Sequence, residues 1–312
     1  MLRMSRLAAV ILCLTALIAA PAAAVELTFF VTGDTHYGFV TPETQNLAVV
    51  NDMNALPGTA YPGSGGTVAT PAFVAVLGDV AQRDDNPAYQ APAVAWQRFL
   101  DHFGANGTDG LLHYPVRELL GNHDYGNDFS YGGQIRAAIT ARHGGLYYSA
   151  NIGGVHVVSL DIWPDAEVRT WLAGDLAALP ANAPVILLQH DPPTPDSSHQ
   201  SQGFIIDTDS TAFYNTVAPY NVIGLFHGHD HSAASYTWNG LSVYRPGSPT
   251  KGTASFLVVH VTDTAVTVDQ RYWDSDTWGF HDGRTIMTPE PATLALLALG
   301  TLSLVARRRM IR

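Results

Sequence analysis

Cysteine and lysine are almost missing from this chain. Among 312 residues there is one of each, Cys13 and Lys251. Cys13 lies in an apolar N-terminal stretch, so a chain cut after that stretch would carry no cysteine. That excludes a disulfide framework and thiolate-bound structural zinc from the body. Any metal there must be held by His, Asp, Asn or Glu. Basic side chains are scarce as well. Lys and Arg total 16 against 27 Asp and Glu, a formal net charge of −11. Six of the arginines sit at the two ends. Without those ends, 10 basic residues face 26 acidic ones, and the body stands near −16. Such a surface does not draw in nucleic acid or anionic lipid at long range. A phosphate substrate would need bound cations to be tolerated.

Long apolar runs are also missing, except at the ends. Arg3 and Arg6 precede the run Leu7 to Ala20, which leads to Pro21-Ala22-Ala23-Ala24. A basic start, a short apolar core and an Ala-x-Ala exit read as a secretory signal peptide over residues 1–24, cut by signal peptidase after Ala24. The run is short for a transmembrane anchor. Leu12, not a small residue, precedes Cys13, which argues against a lipid-modified cysteine. At the other end, Pro289-Glu290-Pro291 is followed by an apolar run from Ala292 to Ala306 and then Arg307-Arg308-Arg309. The run is marginal for a transmembrane helix, but its flanks extend it. The arginines would stay cytoplasmic, leaving the body outside. Residues 289–312 resemble the PEP-CTERM sorting signal of Gram-negative bacteria. That resemblance implies recognition by an exosortase, removal of the tail and release to the periplasm, cell surface or extracellular matrix. The alternative is a plain C-terminal anchor. Either way, the membrane is met only through this segment.

The span 25–288 is long enough for one large core. It shows no internal repeat and no long linker. Apolar β-type runs cover Leu27–Val31, Phe73–Leu77, Val116–Leu120, Val155–Leu160, Val185–Leu188 and Val222–Phe226, then Leu241–Tyr244, Phe256–Val261 and Ala265–Gln270. Several are continuous, as strands buried on both faces should be. Helices are predicted over Glu43–Asn54, Pro87–Phe103, Gly133–His143 and Pro164–Ala178. Pro164 followed by Asp165 and Glu167 makes a good helix start. This alternation predicts an α/β fold. The last strands have no helices between them and read as a meander.

Five short polar motifs follow the ends of these apolar runs. They are Asp34-Thr35-His36, Gly78-Asp79, Gly121-Asn122-His123-Asp124, Gln189-His190 and Gly228-His229-Asp230-His231. Each is weak alone, since a single Asp or Asn after a strand is by default a turn residue. Together they would bring hard oxygen and imidazole donors to one edge of a parallel sheet, where open α/β sheets build their sites. Glycines beside them allow sharp turns and close backbone approach.

The ordered pattern DxH, GD, GNHD, H, GHxH resembles the signature of calcineurin-like metallophosphoesterases. The resemblance runs from Asp34 to His231 and, by inference, takes in the meander. It implies a β-sandwich of two mixed sheets flanked by helices, four layers in all. It further implies two metal ions drawn from Mn, Fe, Zn, Ni and Co, with availability deciding between them. Asp34, His36 and His231 would bind the first, and Asn122, His190 and His229 the second, with Asp79 bridging. A water or hydroxide between the metals would attack the phosphorus. His123 would protonate the leaving oxygen or stabilise the transition state, and Asp124 would orient His123. The implied activity is hydrolysis of phosphomonoesters or phosphodiesters; the alternative is a non-catalytic surface or matrix protein retaining the fold.

Two neighbouring patterns fail. Purple acid phosphatases place a tyrosine three residues after the bridging aspartate, where this chain has Gln82, and they lack the histidine at His36. The HxHxDH pattern of metallo-β-lactamase-like hydrolases does not fit His227-Gly228-His229-Asp230-His231, which is one residue too short. His227 itself reads as a strand-end residue beside the site. Asp161 follows a strand and could line the cleft. The loop from Asp191-Pro192-Pro193 to Ile206 is a natural rim. Arg245 could face a phosphate or sit on a surface turn. Trp163 and the Tyr147-Tyr148 pair could meet substrate or pack in the core.

Overall fold

The structure, a computed structural model, describes residues 24–38, 43–62, 65–82, 91–125, 133–193 and 207–286. The two terminal segments expected to be sorting signals lie outside the described residues, as does loop 194–206. Among the described residues, no helix is long and apolar enough to cross a membrane.

Twelve strands form two six-stranded sheets among the described residues. In the first, β1 (Glu26–Thr32), β2 (Val74–Leu77) and β3 (Val116–Leu119) are parallel. The run β10 (Ser255–Thr262), β11 (Ala265–Tyr272) and β12 (Thr277–Thr285) adds antiparallel beside β1. In the second, β5 (Val155–Ser159), β6 (Val185–Gln189), β7 (Val222–His227) and β9 (Leu241–Pro246) are parallel. The edge strands β4 (Tyr148–Ile152) and β8 (Ala233–Trp238) run antiparallel to their neighbours.

The layering follows from side-chain alternation along the strands. Leu27, Phe29 and Val31 of β1 face the second sheet, joining Val155, Ile186, Leu188 and Phe226 in one buried cluster. Phe30, Val74 and Val76 face the opposite way, onto the helix layer. That layer is α1 (Glu43–Ala55), α2 (Pro92–His102) and α4 (Gly133–His143). In α1 the buried Asn46, Val49, Val50 and Met53 recur at helical spacing on one face. The outer face of the second sheet presents Val158, Val185, Leu187 and Leu225 to α5 (Ala166–Ala177) and α6 (Asp207–Val217). A core strand buried on both faces explains the continuous apolar runs. Each fully buried Phe or Leu in it contributes roughly 1.5–3 kcal/mol relative to exposure. Phe29 stacks on Phe73 at 4.8 Å and meets Phe226 edge-on at 5.8 Å, clamping one sheet onto the other. The four-layer sandwich is therefore observed.

Several elements differ from the sequence reading. β4, β8, β12 and α6 are additional, and α3 (Asn122–Tyr125) is a single helical turn inside the third motif. β12 alternates exposed and half-buried positions along its length, so it offers no apolar run to recognise. β9 does not open the meander. It lies parallel to β7 in the other sheet, paired with β8 through a tight Asn239-Gly240 turn with both residues at positive φ. Helix α5 starts later than expected because Asp165 is its cap rather than its first turn. The Asp165 carboxylate accepts the Val168 amide at 2.9 Å. Helix α2 starts at Pro92; residues 83–90 are outside the described set.

Candidate metal centre

All five motifs leave the C-terminal ends of parallel strands, three from the first sheet and two from the second. Backbone bonds lock these exits together. Asp34 and His36 donate their amides to the Gly78 and Asp79 carbonyls at 2.9 Å, and the Gly228 amide reaches the His190 carbonyl at 3.0 Å. Asp34, His36, Asp79, His229 and His231 all have positive φ, between 44° and 73°. The left-handed region costs a non-glycine residue roughly 1–2 kcal/mol, so the surrounding packing must hold five of the seven expected ligands against strain. Gly121 shows how tight that packing is. A Cβ there would stand 2.2 Å from Asp79 Oδ1 and 2.7 Å from His190 Cε1.

The expected ligands gather into two groups sharing Asp79. In one, His36 Nε2 lies 3.0 Å from His231 Nε2 and 3.8 Å from Asp79 Oδ2, and His231 Nε2 lies 3.5 Å from Asp34 Oδ1. In the other, Asn122 Oδ1 lies 3.0 Å from His190 Nε2 and 2.9 Å from His229 Nδ1. His190 Nε2 is also 3.5 Å from Asp79 Oδ1. His190 Nδ1 donates to the Leu77 carbonyl at 2.7 Å. In a neutral ring that bond leaves Nε2 a bare acceptor, facing an amide oxygen and another imidazole nitrogen. Acceptors this close need a proton or a cation between them. The donor set and its backbone-oriented imidazole fit metal ions.

Charge differs across the centre. Burial, then the Lys251 ammonium, push His231 down to about 4. Burial also holds His36 well below its usual value, against the pull of Asp79. At His190 burial again opposes charging, but Asp79, Asp34 and Asp191 outweigh it and lift the imidazole to about 9. Burial would raise Asp79 too, yet the histidines around it hold it far below the usual carboxylate range. Asp34, fully buried, is raised.

His123 stands over the shared carboxylate, with Nε2 3.9 Å from Asp79 Oδ2 and its amide donating to Asp79 Oδ1 at 2.8 Å. The expected orienting bond from Asp124 is corrected by the structure. Asp124 is fully buried, and its two oxygens accept the amides of Val80, Ala81 and Gly121 at 2.8–3.0 Å. It ties the second motif to the third. The group beside the His123 ring is Gln82, whose Nε2 lies 3.2 Å from Nδ1.

Other candidates resolve as well. His227 turns away, to the Gly228 carbonyl at 2.9 Å and the Tyr236 hydroxyl at 2.8 Å. Arg245 is engaged by the Asp230 carboxylate and by the Ser232 carbonyl and hydroxyl. Tyr148 packs in the core and donates to the Glu118 carbonyl at 2.7 Å. Trp163 lines a small pocket with Gln189, Pro192, Pro193 and Phe213. Asp161 has a positive φ, and its carbonyl accepts the His190 amide at 3.3 Å. Two residues stand closer to the centre than the sequence reading placed them, Asp191 having been expected only at the start of a rim loop. Asp191 Oδ1 lies 3.6 Å from His229 Nδ1. It directly follows a ligand, which was a usable signal. Lys251 belongs to no motif.

Residues 27–233 match the family model for calcineurin-like phosphoesterases. The chain belongs to the calcineurin-like phosphoesterase family. Residues 288–309 match the PEP-CTERM protein-sorting motif. No curated protein matches the chain. Among solved structures, a purple acid phosphatase from yellow lupin seeds superposes with a TM-score of 0.59 at 13% identity, over 85% of this chain and 55% of that one. GAP50 of Plasmodium, titled an anchor in the inner membrane complex, gives 0.54 at 13% identity, over 88% and 94%. At these identities the likeness is one of fold. The phosphoesterase domain thus holds two groups of candidate metal ligands at the meeting edge of its sheets.

Proposed function

We propose that the chain is an exported phosphoesterase that hydrolyses phosphomonoesters or phosphodiesters at a two-metal centre. One observation carries this reading: seven side chains from five strand ends converge into two donor groups around one shared carboxylate. Asp34, His36 and His231 would hold one ion, Asn122, His190 and His229 the other, and Asp79 both. Two cations bound there would acidify a water molecule and neutralise charge on the phosphoryl oxygens. His123, part-exposed above Asp79, is placed to give a proton to the leaving oxygen. Gln82 holds the far side of that ring. Export rests on the N-terminal signal-like segment and the PEP-CTERM motif. Signal peptidase and an exosortase are its processing partners.

A second reading is a surface or matrix protein that uses the fold for binding alone. The likeness to a protein titled as an anchor favours it. Purified chain supplied with Mn, Zn, Fe, Ni or Co and assayed on nitrophenyl phosphate and bis-nitrophenyl phosphate separates the two. The phosphoesterase reading expects turnover that Asp79→Ala or His123→Ala abolishes while circular dichroism stays native. Wild-type turnover in both variants would sink the mechanism. Metal binding without turnover on any ester would favour the second reading.

A further inference from the structure

The single lysine of the chain lies in a turn bonded to two of the expected ligand segments. Lys251 lies in the turn between β9 and β10, and this turn is fastened to ligand segments on both sides. The Ser248 hydroxyl donates to the Asp34 carbonyl at 2.8 Å, and Thr250 Oγ1 lies 3.3 Å from the same oxygen. Ser248 Oγ also accepts the amides of Thr250 and Lys251 at 3.1 Å. On the other side, the Thr253 amide donates to the His231 carbonyl at 2.8 Å. Gly252, at φ 62°, lies so close that a Cβ would stand 2.1 Å from that carbonyl oxygen. The lysine is thereby held between the exits of the first and last motifs.

Its charge is felt across the centre. Beside burial, Lys251 helps to depress the His36 and His231 imidazoles; burial lowers its own ammonium, against the pull of Asp79 and Asp34. An ammonium beside two cation sites repels the ions that those sites hold. Asp34 and Asp79, which draw the ammonium, are also expected ligands, so a phosphate held by ions bound there would meet Lys251 as well. Arg245, the other basic side chain nearby in sequence, is committed to Asp230 and Ser232.

We propose that Lys251 binds the terminal phosphate of the substrate and biases the centre toward phosphomonoesters over diesters. This rests on the phosphoesterase reading above. The chemistry of the two ester classes supplies the reason. A monoester near neutral pH carries close to two negative charges, its second pKa being about 6, on three non-bridging oxygens. A diester carries one charge on two. The extra oxygen and the extra charge are what an additional ammonium can take, as a charge-assisted hydrogen bond.

Two measurements test this. The first compares nitrophenyl phosphate with bis-nitrophenyl phosphate on the metal-loaded full chain. Losing a hydrogen bond to a charged group predicts that Lys251→Met lowers kcat/KM for the monoester by roughly 10- to 100-fold. Diester turnover should fall far less, Lys251→Arg should recover part of the loss, and metal content should not drop. Equal losses on both esters would overturn the proposal. The second measurement does not need turnover. Because Lys251 is the only lysine, an amine-directed label read by peptide mass spectrometry reports it without ambiguity. Inorganic phosphate should slow its labelling in the metal-loaded protein; an unchanged rate would also overturn the proposal. A wild type inactive on every ester, with phosphate still protecting Lys251, would instead defeat the hydrolytic reading and leave the anion site standing.

Discussion

The two halves of the candidate metal centre each set two imidazoles beside one oxygen donor, Asp34 or Asn122, but hold opposite protonation. Around Asp34, His36 and His231, burial and the Lys251 ammonium keep the imidazoles neutral, with His231 down at about 4. Around Asn122, His190 and His229, the carboxylates of Asp79, Asp34 and Asp191 overcome burial and hold a proton on His190, lifted to about 9. His190 Nδ1 is committed to the Leu77 carbonyl. The proton to be displaced therefore sits on Nε2, where a metal would bind. On the two-metal reading, the imidazoles of one half would take a cation directly, and His190 in the other would first give up a proton. Burial at His36 and His231, and the Asp79 and Asp34 carboxylates at His190, set most of that difference; Lys251 and Asp191 add to it.

The largest test of this contrast removes one half at a time. His190→Ala should reduce bound metal from two ions to about one per chain and cut turnover by at least about a thousandfold, since several kcal/mol of transition-state stabilisation rest on each ion. Retention of both ions in this variant, measured by elemental analysis, would break the division into two halves.

A smaller test is the pH dependence. His190 is raised from 6.5 to about 9. Its charged form therefore stabilises the metal-free fold fully below pH 6.5, and that contribution is lost as pH rises through about 9. The Tm of metal-free protein should fall across that window, and metal loading should flatten the fall. Calorimetry in buffers of different ionisation enthalpy should find close to one proton released per chain at pH 7.5, assigned to the second half. No proton release would contradict the contrast.

The smallest expected effect concerns the frame that joins the halves. Asp124→Asn replaces an acceptor of three buried amides with one that also brings donors. It should cost roughly 1–3 kcal/mol of stability, seen as a lower denaturant midpoint. The pH–rate profile should keep its shape, since Asp124 acts on the backbone rather than on His123. A shifted acid limb in that profile would restore the orienting role.

Much of this was legible in the sequence because the core strands are buried on both faces. Continuous apolar runs such as Phe29–Val31 and Ile186–Leu188 announce themselves, and a polar motif after each marks its C-terminal end. The elements that escaped notice are half-polar: β12 alternates with solvent, and β8 carries Ser235 and Thr237. The role of Asp124 was misread because adjacency in the chain is not adjacency of side chains. In the helical turn Asn122–Tyr125, successive residues point in different directions, so His123 faces Asp79 while Asp124 reaches back to Val80 and Ala81. Lys251 was invisible for another reason. Its place depends on a turn tied to Asp34 and His231 by contacts spanning 22 to 216 residues of sequence.

The central claim is that one buried carboxylate, Asp79, joins two cation sites. Counting ions on dialysed, metal-saturated full-length chain tests it most directly. The account predicts two ions per wild-type chain and fewer than one in Asp79→Ala with the fold intact. A single ion in the wild type, or two retained without Asp79, would contradict it.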